Sequence, residues 1–313
     1  MPGSLSTTLA SAGLRTGCAA ARLLPVSAAR AAVLRWLLGF RGRLHPKGGR
    51  DLREVHFADG RTLQVNVCEQ VGADLFYGLG FEQVEAALVQ RLVQPGSVIF
   101  DVGANIGCYS SLFAQLAGPS GRVHAFEPAP ATHAQLAANM ERNGCHNVVL
   151  NQAAVSDAAG EMDLYLNRES ALASLGQTGR GKTVGTASVK VVTLDDYART
   201  HGLAAIDFLK IDVEGYEPKV LAGARELLRR SPDVVVLCEL AAKNFRPLGF
   251  SVAETLAFMR GLGFEAWEIV LTEPAQLRLV GEISEDFANQ NFLFAHRGSP
   301  RAAAVARLSA SPL

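Results

Sequence analysis

A series of short, largely apolar runs, several of them stopping at an acidic residue, constrains this 313-residue chain more than any other feature. Val98–Phe100 runs into Asp101, Val123–Phe126 into Glu127, Phe208–Ile211 into Asp212 and Val234–Cys238 into Glu239. Strands of about five residues without polar alternation are buried on both faces, which a parallel sheet between two layers of helices provides. The intervening segments have helical periodicity: Phe81–Val93, closed by Gln94-Pro95-Gly96, then Ile106–Ala117, Ala129–Asn143, Pro218–Arg230 and Val252–Leu262. Further strands are expected at Val148–Val155, Glu161–Asn167, Ser188–Thr193, Glu265–Ile269 and Phe292–Ala295, with a glycine-rich stretch over Gly176–Gly185. Asp59-Gly60 between Val55–Phe57 and Leu63–Val67 predicts a hairpin.

Composition narrows the classes. A hydrophobic fraction of 49% excludes global disorder, and 30 basic against 30 acidic side chains leave no overall positive field for nucleic acid. No apolar run approaches the roughly 18–20 residues of a membrane-spanning helix. Cys18, Cys68, Cys108, Cys145 and Cys238 form no C-x-x-C pair, which argues against a zinc or thioredoxin-type site and fits reduced thiols in the cytoplasm.

The ends differ from the middle. Residues 1–50 contain no acid and carry Arg15, Arg22, Arg30, Arg35, Arg41, Arg43, Lys47 and Arg50. Leu34, Trp36, Leu37, Leu38 and Phe40 suit one face of a short basic amphipathic helix. A helix packed on the main domain, an interfacial membrane segment and an organelle transit peptide all fit this composition, and the first is favoured. Arg15, Arg22 and Arg30 interrupt any secretory signal. Residues 298–313 are small and Ala/Ser-rich and are expected to be flexible. The expected divisions are 1–50, a hairpin and helix lead-in at 51–95, a main domain at 96–297, and the tail.

In an open parallel sheet, ligands bind beyond the carboxyl ends of the strands, where strand order reverses. The first tip reads Asp101-Val102-Gly103-Ala104-Asn105-Ile106-Gly107. Gly103 permits a tight turn, Gly107 permits close approach at the next helix, and Asn105 adds a short polar side chain. The G-x-x-x-G spacing differs from the G-x-G-x-x-G of pyrophosphate binders, and an acid at the tip suits an ammonium or sulfonium group. Glu127, 26 positions later, is placed to accept both hydroxyls of an adenosine ribose. Ala153 and Ala154 leave room for a flat ring, with Ser156 or Asp157 in reach of its amino group. Lys210, Asp212, Glu214 and Glu217 crowd the fourth tip, and alternation puts the first three on one face if the strand continues that far.

These blocks resemble a class I S-adenosylmethionine-dependent methyltransferase of the FkbM family over about residues 70–297. The resemblance rests on Phe100–Gly107, His124–Pro128, Thr193-Leu194-Asp195-Asp196 and, most specifically, Leu209–Glu217, with the hairpin and the Tyr77–Glu82 lead-in. It implies a Rossmann-like α/β fold with a mainly parallel seven-stranded sheet, helices on both faces, a preceding β-hairpin and an N-terminal helical segment. It also implies O-methylation of a hydroxyl on a sugar, glycolipid or natural product. Asp101, Gly103, Asn105 and Gly107 would cradle the methionine part of the cofactor, Glu127 the ribose, and the Ala154–Val155 backbone the adenine. Asp212 would face the sulfonium, and Asp212, Glu214 and Glu239 are the candidate catalytic carboxylates.

A divalent cation such as Mg²⁺ is an open alternative that is not predicted. Asp212 and Glu239 stand at adjacent tips, as in catechol-type O-methyltransferases, but Leu240-Ala241 follows where a second polar ligand would stand. The rival reading is a catalytically inactive scaffold, docked to a membrane or partner through the basic N-terminal helix. The expected partners are a small-molecule or glycan acceptor and a second copy of the chain, and not nucleic acid.

Overall fold

The structure, a computed structural model, describes residues 5–22, 36, 44–46, 48–78, 82–179, 181–272, 274–281 and 290–309. The chain divides into two compact units, residues 1–83 with 168–171, and residues 84–167 with 172–313.

In the smaller unit, α1 (Leu5–Arg22) precedes the predicted hairpin of β1 (Leu52–His56) and β2 (Thr62–Asn66), then α2 (Gln70–Phe76). Leu14 and Cys18 of α1 are buried with Ala73 and Tyr77. A buried polar cluster lies beside them: His45 Nε2 is 2.7 Å from the Tyr77 hydroxyl and 3.2 Å from Ser11 Oγ, and its Nδ1 is 3.1 Å from Asp51. The long α1 is a helix that the sequence reading did not place. Leu34, Leu37, Leu38 and Phe40 lie outside the described residues, and Trp36 is exposed.

The larger unit carries α3 (Gln83–Leu92), β3 (Val98–Val102), α4 (Cys108–Ala117), β4 (Arg122–Phe126), α5 (Pro130–Arg142), β5 (Val148–Asn151), β6 (Ala154–Val155), β7 (Gly160–Asn167) and β8 (Thr183–Val192). It continues with α6 (Leu194–Thr200), β9 (Phe208–Ile211), α7 (Glu217–Ala222), α8 (Arg225–Arg229), β10 (Val235–Leu240), α9 (Ala242–Phe245) and α10 (Val252–Gly261). The remaining elements are β11 (Phe264–Val270), β12 (Gln276–Leu279), β13 (Gln290–His296) and α11 (Pro300–Ser309). The main sheet has the order β12-β11-β13-β10-β9-β3-β4-β5. Pairing is parallel from β10 through β5, while β13 runs antiparallel between β10 and β11. The sheet has eight strands among the described residues, because β12 extends the expected seven at one edge.

Three expected elements are divided or extended. Val148–Val155 is two strands: β5 pairs with β4, whereas β6 joins a separate three-stranded sheet of order β6-β8-β7. The expected helix from Pro218 breaks after Ala222, where the Gly223 carbonyl accepts the Asp195 N–H at 2.9 Å and the Asp195 carboxylate accepts the Glu226 and Leu227 N–H groups at 3.1 and 2.7 Å. β8 begins at Thr183, inside the glycine-rich stretch. The tail is not frayed over 300–309: α11 buries Ala302 and Val305, and Arg301 donates to the Leu92 carbonyl at 2.5 Å.

The core places the site. Phe100, Leu209, Val236 and Phe294 on one face of the sheet, and Ile99, Phe208, Val235 and Leu293 on the other, are all buried, so the central strands are fixed on both faces. The chain moves outward from β3 to β4 and β5, then returns to place β9 on the other side of β3. That reversal falls between β3 and β9, and in an open parallel sheet the ligand crevice lies beyond the strand tips at such a point.

Candidate active site

Asp101 and Lys210 are register partners on the adjacent strands that form this crevice. Asp101 is fully buried; Ser110 of α4 donates to its Oδ2 at 2.6 Å, and its Oδ1 is buried without a hydrogen-bond partner. Burial raises the pKa of this carboxyl above its usual range, against the pull of Lys210 and the Ser110 hydroxyl. Lys210 itself is 5% exposed, 3.2 Å from Asp212 Oδ2, with its ammonium 4.6 Å from the centre of the Tyr109 ring.

Gly103 follows in a left-handed conformation (φ +83°), and a Cβ there would lie 1.8 Å from the Asp212 carbonyl oxygen. The glycine is therefore required for the β3 and β9 tips to approach each other. Gly107 (φ +92°) would place its Cβ 2.5 Å from Met140 and 2.8 Å from Leu136, so its missing side chain makes room for α5. Asn105 is a non-glycine left-handed residue (φ +49°), and its N–H donates to Glu127 Oε2 at 3.0 Å. The other Glu127 oxygen accepts the Ala129 N–H at 2.9 Å. Burial pushes the Glu127 carboxyl up to about 7, while the two backbone donors hold it down. Each oxygen keeps acceptor capacity beyond its one backbone bond, as a ribose diol would need.

Ala154 and Val155 are buried on β6 and aligned with Val191 and Val192 of β8. Ala154 packs in the same apolar cluster as Ala129, which follows Glu127 closely. Ser156 Oγ donates to Asp157, whose carboxylate is paired with Lys219 at 2.7 Å.

At the opposite side of the crevice, Asp212, Glu214 and Glu239 come together from the tips of β9 and β10, with carboxylate oxygens within 4.8 Å of one another. Glu214 is left-handed at φ +56°, a conformation that costs a non-glycine residue roughly 1–2 kcal/mol. Three side chains for which the sequence reading gave no role surround it. Glu217 is buried and accepts the N–H groups of Val213 and Gly215 at 3.0 and 2.9 Å. Ser174 donates to the Glu214 carbonyl at 3.1 Å, and Asn244 of α9 donates to Glu214 Oε2 at 3.0 Å. Asn244 lies within the Lys243–Ser251 segment, whose loop-like composition carries no residue-level signal. Ser110 is equally invisible in sequence, since any serine in a helix's first turn reads as a capping-region residue.

The residues present fit S-adenosylmethionine. A buried acceptor oxygen at Asp101 suits a positively charged group, and a buried carboxyl at Glu127 suits the ribose. A Rossmann-like sheet with one inserted antiparallel strand and acids on its central tips defines a class I methyltransferase, an S-adenosylmethionine-dependent enzyme. Residues 101–266 match the family described as "Methyltransferase FkbM domain", and the chain belongs to that family.

Relatives agree. The chain is 37% identical over 205 residues to "31-O-demethyl-FK506 methyltransferase FkbM" of Streptomyces tacrolimicus, covering 55% of this chain and 74% of that protein. It is 29% identical over 163 residues to "2-O-methyltransferase NoeI" of Sinorhizobium fredii (48% and 66%). It is 28% identical over 155 residues to "Hexuronic acid methyltransferase AglP" of Haloferax volcanii (50% and 61%). The matched segment thus spans about two thirds of the length of these relatives.

Proposed function

We propose that this methyltransferase acts on a hydroxyl oxygen of a sugar, glycolipid or natural-product small molecule. The observation that carries the reading is the division of one crevice: buried Asp101 on one side, and the Asp212, Glu214 and Glu239 carboxylates on the other. The relatives named for 31-O-demethyl-FK506, a 2-O position and a hexuronic acid support an oxygen acceptor.

S-adenosylmethionine supplies a methyl carbon already activated by a sulfonium. The work left to the chain is alignment, water exclusion and removal of a proton. Asp101, whose burial raises its pKa against the opposing pull of Lys210 and Ser110, holds the positively charged part of the cofactor. Glu127 fixes the ribose, and the loop from Gly103 to Gly107 ties the two acids together through the Asn105 N–H. Asp212 faces the sulfonium, with Lys210 offsetting part of its charge. Glu214 accepts the proton of the acceptor hydroxyl, a role worth roughly 10²–10⁴-fold in rate. Glu239 orients that hydroxyl from the neighbouring strand.

Calorimetric titration of S-adenosylmethionine into wild type, Asp101→Ala and Glu127→Ala, followed by tritiated-methyl transfer to a panel of methyl glycosides, tests the proposal. Micromolar binding lost in both variants, with label on glycoside oxygen, is the expected result. Label appearing only on nitrogen or sulfur acceptors would sink the O-methyl reading.

A further inference from the structure

We propose that Glu217, Ser174 and Asn244 are positioning residues that clamp Glu214 for its encounter with the acceptor hydroxyl. This inference rests on the reading of Glu214 as the carboxylate that takes the hydroxyl proton. It starts from an outlier: Glu214 holds a left-handed backbone conformation that an ordinary residue leaves unless its surroundings over-determine it (φ +56°). Glycine would adopt that conformation without strain, and Gly215 stands next to it, yet a carboxylate occupies the strained position.

The restraints come from three different elements. Glu217, in the first turn of α7, bridges the peptide groups on both sides of Glu214, one oxygen on the Val213 N–H and the other on the Gly215 N–H. Ser174, from the segment between β7 and β8, fixes the Glu214 carbonyl. Asn244, from α9, fixes the carboxylate itself. Gly215 lets Asn244 come close, since a Cβ at 215 would lie 3.2 Å from the Asn244 Cβ. Asn244 is wholly buried, and its Oδ1 has no hydrogen-bond partner. A buried amide that spends its donor on one carboxylate and leaves its own acceptor unmatched adds little to stability. Its value lies in where it holds Glu214.

The clamp has a titration signature that mere structural support lacks. Asn244→Asp keeps the shape and replaces a donor to Glu214 with a second carboxyl about 3 Å away, so the pair shares a proton and resists full ionisation. Asp212 and Glu239 beside the Glu214 carboxylate, Glu217 on the flanking N–H groups and Lys210 on Asp212 stay the same in this variant.

The test labels the full-length protein with [5-¹³C]glutamate and follows the Glu214 carboxyl by NMR, assigned by its loss in Glu214→Gln. Kinetics use S-adenosylmethionine with methyl glycosides as acceptor probes. The expected outcome for Asn244→Asp is a Glu214 midpoint raised by about one pH unit or more, with the acid limb of kcat/KM moving equally. Glu217→Gln and Ser174→Ala are expected to lower kcat about tenfold while the cofactor Kd stays within about twofold. Wild-type Glu214 titration in Asn244→Asp, with the cofactor still bound, overturns the clamp. Full activity in Glu214→Gln overturns instead the reading of Glu214 as the proton acceptor. Failure of wild type to methylate any glycoside overturns the sugar reading. In both of those cases the NMR midpoint alone decides the clamp.

Discussion

The tips of β3 and β4 and the tips of β9 and β10 both present acids to the same crevice, but they hold them differently. Asp101 and Glu127 are sealed at 0% and 7% exposure, with their donors from α4 and from their own loops. Asp212, Glu214 and Glu239 are only partly buried, and distant segments reach in to hold the middle one. A sealed, locally wired pair suits one constant ligand, since desolvation raises the cost of leaving the pair without it. A half-open trio held by loops suits a ligand that differs from one relative to another, because loops change without disturbing the sheet.

The largest expected effect comes at the seam between the two halves. Gly103→Ala drives a Cβ into the Asp212 carbonyl oxygen, 1.8 Å away, and backbone cannot yield as a side-chain tip can. A loss of roughly 3 kcal/mol or more is expected, with cofactor binding and turnover lost together. Thermal melts and calorimetry check this. A stable variant that still binds cofactor would mean the halves are not coupled through this turn.

Next in size is Asp101→Asn. It should weaken S-adenosylmethionine by about 100-fold, as expected when a buried charge partner is removed. The same change should leave thermal stability unchanged or higher, because burial already raises the Asp101 pKa and the neutral amide carries no such penalty. Reduced stability with intact affinity would place Asp101 in the fold rather than the site.

The sealed half should also be the pH-sensitive one. The Glu127 carboxyl titrates at about 7 instead of 4.5, so its folded-state pKa is raised. Its contribution to stability is then present below about 4.5 and is lost as pH rises through 7. If the ribose needs the ionised form, affinity runs the opposite way: Kd should weaken about tenfold between pH 8 and pH 6. Glu127→Gln should flatten both dependences. A wild-type Kd constant across this range would show that the diol accepts a protonated partner.

The sheet and the sealed half were legible in sequence because their information is local. Apolar runs mark buried strands, and Asp101 and Glu127 sit directly at strand ends, where chain order alone puts them beside each other. The β5–β6 break is not local: Val148–Val155 reads as one apolar run, and only the competing partners β4 and β8 split it between two sheets. The α7–α8 break depends on Asp195, far away in sequence, which takes up the Gly223 carbonyl and the Glu226 and Leu227 N–H groups. The same reason hid the clamp. Asp212, Glu214 and Glu239 were found as acids at strand tips, whereas Ser174 and Asn244 act only because the chain folds back from positions 40 and 30 residues distant.

Glu239→Gln carries the smallest expected effect on the cofactor, and for that reason it defines the boundary between the halves. Glu239 belongs to β10, separated from β3 by the whole of β9, and its oxygens meet those of Asp212 and Glu214 rather than those of Asp101. Replacing it by an isosteric amide keeps a polar atom in place and removes one of three close negative charges. The cofactor Kd should therefore change by less than about twofold, while kcat/KM for a methylated glycoside falls about tenfold through loss of hydroxyl orientation. Calorimetry and initial rates on the same preparation separate the two. A large loss of cofactor affinity would mean that the open trio also serves the constant ligand, and the division between a sealed half and an open half would no longer hold.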